Sequence, residues 1–103
     1  MRMMLKVNIP TEEANAAMKA GTFVKTLQGI LSELKPEAAY FAEDDGMRTA
    51  YLFFDMSDSS ELPRVSEPWF HAFNADLTVR PAMSQEDLAK AGPHIERAVK
   101  AYG

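Results

Sequence analysis

Hydrophobic and polar residues alternate from the start of the chain. Met3, Leu5, Val7 and Ile9 share one parity, and Met4, Lys6 and Asn8 share the other. A period of two predicts a strand with one apolar face. Pro10 has no amide to give a ladder and ends it. Thr11 follows as a candidate helix cap, with Glu12 and Glu13 in the first turn, where the helix dipole favours anions. The period then lengthens. Ala14, Ala17, Met18, Gly21, Val24, Leu27, Leu31 and Leu34 recur every three or four residues, which predicts a helix over roughly 12–34 with a break available at Ala20–Thr22. Lys35-Pro36 closes it, because a residue before proline disfavours helical geometry.

Two further strands fit Ala38–Glu43 and Arg48–Met56. The turn between them contains Asp45-Gly46, a pair that tolerates positive φ and so signals a hairpin. In the second of these strands Ala50, Leu52, Phe54 and Met56 share a face, opposite Thr49, Tyr51, Phe53 and Asp55. Pro63 and Pro68 argue against one regular helix beyond Ser57. A short helix from about Ser60 is expected, then a turn capped by Ser66 and bearing Trp69, Phe70 and Phe73. A fourth strand fits Asp76–Ala82. Ser84 and Asp87 then make a weak capping box, and Gly92-Pro93 is expected to interrupt the last helix. Beyond that interruption Ile95, Val99 and Tyr102 form a small apolar stripe, and Glu96 with Lys100 is an i,i+4 pair.

The order β-α-β-β-α-β plus a C-terminal helix is the α+β, ferredoxin-like plan: two helices on one face of a four-stranded antiparallel sheet. A length of 103 residues suits a single domain, 1–103, with about 91–103 as a helical extension. The other sheet face would show Met4, Lys6, Asn8, Tyr51, Phe53, Thr78 and Arg80. Large side chains left in water there suggest an interface or a ligand surface. A net charge of −4 argues against a nucleic-acid partner. No apolar run approaches the roughly 20 residues that span a bilayer, and the N-terminus has no long apolar region of the kind a secretion signal needs. A cytoplasmic setting is therefore expected, with no membrane partner. The absence of cysteine excludes disulfides, thiolate metal sites and a cysteine nucleophile.

Several runs resemble small bacterial proteins of the dimeric α+β barrel superfamily, in which two ferredoxin-like subunits join their sheets. They are Lys35-Pro36-Glu37-Ala38-Ala39-Tyr40-Phe41, Tyr51-Leu52-Phe53-Phe54-Asp55-Met56, Glu67-Pro68-Trp69-Phe70, Phe73-Asn74-Ala75 and Arg80-Pro81-Ala82-Met83. The resemblance covers residues 1 to about 90. It implies a homodimer, and it spans oxygenases, isomerases and ligand-binding domains, so fold alone does not assign an activity.

The candidate chemistry is sparse. Histidine is the residue type suited to moving protons near neutrality, and His71 lies in an aromatic stretch, so with Asp55 it is a candidate proton acceptor for an enzyme of the oxygenase or isomerase type. The plainer reading of His71 is a surface histidine. Lys6, Tyr51, Asp55 and Arg80 share a parity class across three strands. Polar groups converging among aromatics describe a ligand pocket, here with Tyr51 and Trp69 as walls and Lys6 and Arg80 orienting a polar or anionic molecule. The rival reading is a polar network between subunits. Glu43 and Arg48 flank the hairpin turn and are placed to pair across it. His71 and His94 lack a metal-ligand spacing, and no glycine-rich phosphate loop exists, so no metal and no cofactor is implied. The main expectation is a homodimer that binds a small molecule between sheet and helices. A cofactor-independent oxygenase or isomerase, and an assembly module without a pocket, are the alternatives.

Overall fold

A computed structural model describes all 103 residues, Met1–Gly103. The strands are β1 (Arg2–Ile9), β2 (Ala38–Asp44), β3 (Met47–Asp55) and β4 (Asp76–Pro81). The helices are α1 (Thr11–Lys19), α2 (Phe23–Leu34), α3 (Leu62–Phe73) and α4 (Gln85–Tyr102). A 3₁₀ turn over Ser59–Glu61 leads into α3. The sheet has the order β2-β3-β1-β4, and the pairings β1–β3, β1–β4 and β2–β3 are all antiparallel. This is the ferredoxin-like α+β layout that the element order predicts.

The parity of β1 sets the core. Met3, Leu5, Val7 and Ile9 are buried, and their cross-strand partners include Phe54, Leu52 and Ala50 on β3. Val79 and Leu77 of β4 flank Leu5 and Val7 on the other side. Val65, Trp69 and Phe73, spaced four apart on α3, bury themselves against this layer. Phe73 also meets Phe23 of α2, with ring centroids 5.4 Å apart. Burying large apolar side chains contributes roughly 1.5–3 kcal/mol each, and these residues hold the two layers together.

Four sequence expectations are corrected. The apolar stripe over 12–34 changes phase at the break: Gly21 adopts φ +75°, and α2 turns Phe23, Leu27, Ile30, Leu31 and Leu34 inward while Val24 stays exposed. Thr11 is the first residue of α1, not its cap, and Pro10 precedes it with no side-chain cap. Helix α3 runs unbroken through Pro68. One lost helical hydrogen bond costs about 3 kcal/mol, less than a continuous helix gains by burying Val65, Trp69 and Phe73 together. Helix α4 likewise continues through Gly92-Pro93.

The β2–β3 hairpin turns on Asp45 and Gly46, at φ +54° and +75°. Asp44 pairs with Met47 at its base, so the turn has two residues, both left-handed. A side chain added at Gly46 meets nothing within 4 Å. Gly46→Val is therefore expected to cost about 1–2 kcal/mol through backbone strain alone, read as a lower urea midpoint with an unchanged slope.

Helix α4 leaves the body. None of its residues is buried. The molecule measures 58 × 28 × 21 Å with a radius of gyration of 17.0 Å, against about 13 Å for a close-packed chain of this length. No helix is long and apolar enough to cross a membrane.

Candidate functional site

The face of the sheet away from α1–α3 gathers the residues that parity placed there. Lys6 lies opposite Tyr51 on one side and Thr78 on the other. Met4 lies between Phe53 and Arg80, and Tyr40 faces Tyr51. Tyr51 and Phe53 are half-buried and Tyr40 is 65% exposed. The charges on this face are mostly committed. Lys6 Nζ is 2.6 Å from Asp44 Oδ2, and Asn8 donates to the same oxygen at 3.3 Å and to Thr49 Oγ1 at 2.9 Å. The hydrogen bond to Lys6 holds the Asp44 carboxyl below its usual range, and Asp44 in turn raises Lys6. Asp55 takes the N-terminal amine at 2.8 Å, at the far end of β3. Arg80 is exposed and makes no ion pair.

Trp69 and His71 lie elsewhere. Trp69 is fully buried in the core on the helix side of the sheet, with its indole N–H unpartnered. It therefore walls no space shared with Tyr51, whose side chain is on the opposite face. The His71 side chain is 80% exposed on α3, and its Nε2 is 3.5 Å from Glu67. It borders neither of the two grooves in the surface.

A groove that the sequence reading did not name opens on the helix side, beyond α2. Its volume is about 690 Å³, inside the range of roughly 300–1,000 Å³ typical of small-molecule sites. Ile9, Phe23, Leu27, Phe41, Met47 and Ala50 give it an apolar floor and walls. The cause is local. Strand β2 is the sheet edge, and the helices leave its inward face uncovered, so Phe41, which pairs with Ala50, remains 56% exposed. The hairpin register, fixed by the Asp45-Gly46 turn, puts Phe41 on that side and was the available signal.

Arg48 stands at the mouth of this groove. It lies directly across from Glu43 in the ladder, yet the expected ion pair does not form. Glu43 Oε2 instead accepts from the Gly46 amide at 2.7 Å, closing the turn. Arg48 Nη1 donates to the Asn15 side-chain oxygen at 3.0 Å, a neutral partner. The guanidinium thus has no carboxylate within ion-pair distance and spare donors beside an apolar cavity. The second groove, about 590 Å³, is bordered by Arg2, Glu37 and Asp55. Arg2 is bound to Glu37 at 2.5 Å, while Lys35, also on this groove, makes no ion pair, and only three of the nine lining residues are hydrophobic. No cluster of three or more metal-ligating side chains occurs.

No family model and no curated protein matches this sequence. Solved structures with a similar fold include a formyltetrahydrofolate deformylase from Pseudomonas putida KT2440, at 12% identity and a TM-score of 0.50. The match covers 80% of this chain and only 29% of the deformylase. Rv0793 from Mycobacterium tuberculosis is similar at 11% identity and a TM-score of 0.48, over 82% of this chain and 96% of that one. Protein Atu4242 from Agrobacterium tumefaciens matches over the same shares at 12% identity and a TM-score of 0.45. Likeness at this level is one of fold.

Proposed function

We propose that this protein binds a small organic anion with an apolar body, in the groove between α2 and the β2–β3 hairpin. The observation behind this reading is Arg48, a guanidinium without an acidic partner at the edge of a cavity walled by Phe23, Leu27 and Phe41. Arginine offers a planar fork that matches a carboxylate or phosphate. The aromatic and aliphatic walls supply the burial that gives such a ligand its affinity. The probe that fits this description is 1-anilinonaphthalene-8-sulfonate, whose emission rises on burial. Arg48→Met is expected to weaken its binding roughly tenfold, the effect of one charge-assisted hydrogen bond. Phe41→Asp is expected to abolish it by replacing an apolar wall with a second carboxylate beside that of Glu43. Equal binding by both variants and the parent overturns the assignment.

The open sheet face supports a second part of the same reading, that the working unit is a homodimer. Tyr40, Tyr51, Phe53 and Met4 form a surface that a second copy, sheet to sheet, would take out of water. Lys6, Tyr51 and Arg80 would then border the space between the sheets, and a small polar molecule held there would be oriented by Arg80. His71 and Asp55 receive no proton-transfer role in this reading, since both side chains face solvent, 80% and 79% exposed.

A further inference from the structure

Helix α4 is an amphipathic helix with nothing on its apolar side. Leu88, Ile95, Val99 and Tyr102 are 52%, 55%, 61% and 91% exposed. Successive residues turn by 100°, so these four fall within about one-sixth of the circumference, with Ala91 and Gly92 beside them. Lys90, Glu96, Arg97 and Lys100 lie on the other side. The helix is not a frayed tail. Ser84 Oγ accepts from the Asp87 amide at 3.1 Å and Asp87 Oδ2 accepts from the Ser84 amide at 3.0 Å, which fixes its first turn.

We propose that α4 is an arm that clasps a second copy of this chain and completes the homodimer; the inference rests on the sheet-to-sheet reading above. Three observations favour that occupant. The first is position. Only Ala82, Met83 and Ser84 separate the arm from β4, an edge strand whose Arg80 is on the open face, so the arm begins at the rim of the proposed contact. The second is reach. Eighteen residues of helix extend about 27 Å, and the whole molecule is 28 Å across its intermediate axis, so one arm spans a partner. The third is area. Four strands of this length cover roughly 500 Å², short of the roughly 800 Å² per partner of a standard interface. A helix strip about 27 Å by 10 Å makes up most of the difference. A lipid surface fits less well. The arm has three acidic and three basic side chains, Glu86, Asp87 and Glu96 against Lys90, Arg97 and Lys100, without the basic excess that draws helices to anionic membranes.

The test uses the full chain. Ile95→Asp combined with Val99→Asp leaves the protomer intact, because both positions are exposed in it. Sedimentation velocity is expected to show the dimer weakened at least about a hundredfold, since each substitution enters the contact twice. The chain has no cysteine, so Val99→Cys gives one attachment point for acrylodan. Its emission is expected to move to the blue as concentration rises, in step with dimerisation. A dimer of unchanged affinity in the double variant overturns the clasp and leaves the sheet contact standing. A blue emission already present in the dilute monomer assigns the arm to its own body and overturns it too, as does a shift seen only with vesicles of phosphatidylcholine and phosphatidylglycerol. A parent protein that stays monomeric at hundreds of micromolar overturns both readings.

Discussion

Trp69→Ala is expected to lower the stability of the protein by about 3–5 kcal/mol, the cost of deleting a large aromatic from a packed interior. Trp69 is fully buried and lies between Val65 and Phe73 on the inner face of α3, with its ring centroid 6.3 Å from that of Phe73. Total stability for a domain of this size is about 5–15 kcal/mol, so the variant loses a large fraction of it and, at the low end of that range, is left close to its unfolding midpoint. Urea titration followed by circular dichroism measures the loss, because the only tryptophan is the residue removed. Trp69→Phe separates the two contributions of that side chain. It keeps a six-membered ring in the core and deletes the unpartnered indole N–H. An unsatisfied buried donor costs roughly 1–3 kcal/mol, comparable to the small cavity that phenylalanine leaves. The net change is expected to stay within about 1 kcal/mol of the parent. A loss as large as that of the alanine variant means that the N–H is satisfied and that the account of this site is wrong.

Phe53→Asp is expected to dissociate the proposed dimer by at least about a thousandfold while leaving the protomer folded. Phe53 is half-buried on the open face, between Met4 of β1 and Ala38 of β2, and contributes nothing to the core on the other side. In a twofold contact the substitution acts on both sides at once, removing two aromatic rings and introducing two carboxylates without partners. Light scattering across a dilution series reads the change, and circular dichroism checks the fold. An unaltered molar mass in the variant rejects sheet-to-sheet association.

The fold was legible because its strongest signals are local and redundant. Four of the five apolar residues of β1 keep one parity, Met4 alone falling on the other face, and Asp45-Gly46 admits few structures other than a two-residue turn. In α3 the misreading arose because tertiary burial overrode a local rule. Pro68 and Pro93 are helix breakers by sequence, yet α3 tolerates the first because three residues around it are buried in one plane. Glu43 and Arg48 sit opposite each other as expected. The Gly46 amide competes for Glu43, and a nearer, preformed donor wins over a flexible side chain. The site was legible only in part. Parity placed Lys6, Tyr51, Asp55 and Arg80 on one surface correctly, but it cannot tell that Asp44, from a fourth strand, neutralises Lys6. Trp69 drew attention as an aromatic beside a histidine, and its spacing from Val65 and Phe73 marks it instead as core. The groove depends on where the helices stop short of β2, a property of packing that no single segment encodes.

The place of β1 at the middle of the sheet bears on biosynthesis. It is synthesised before both strands it pairs with, β3 and β4, which end at Asp55 and Pro81. At about 5–20 residues per second, translation leaves the stretch Met3–Ile9 waiting roughly 4–14 s for its second neighbour. An alternating apolar segment held that long without partners is a natural client for a nascent-chain chaperone, and distant pairings of this kind slow folding.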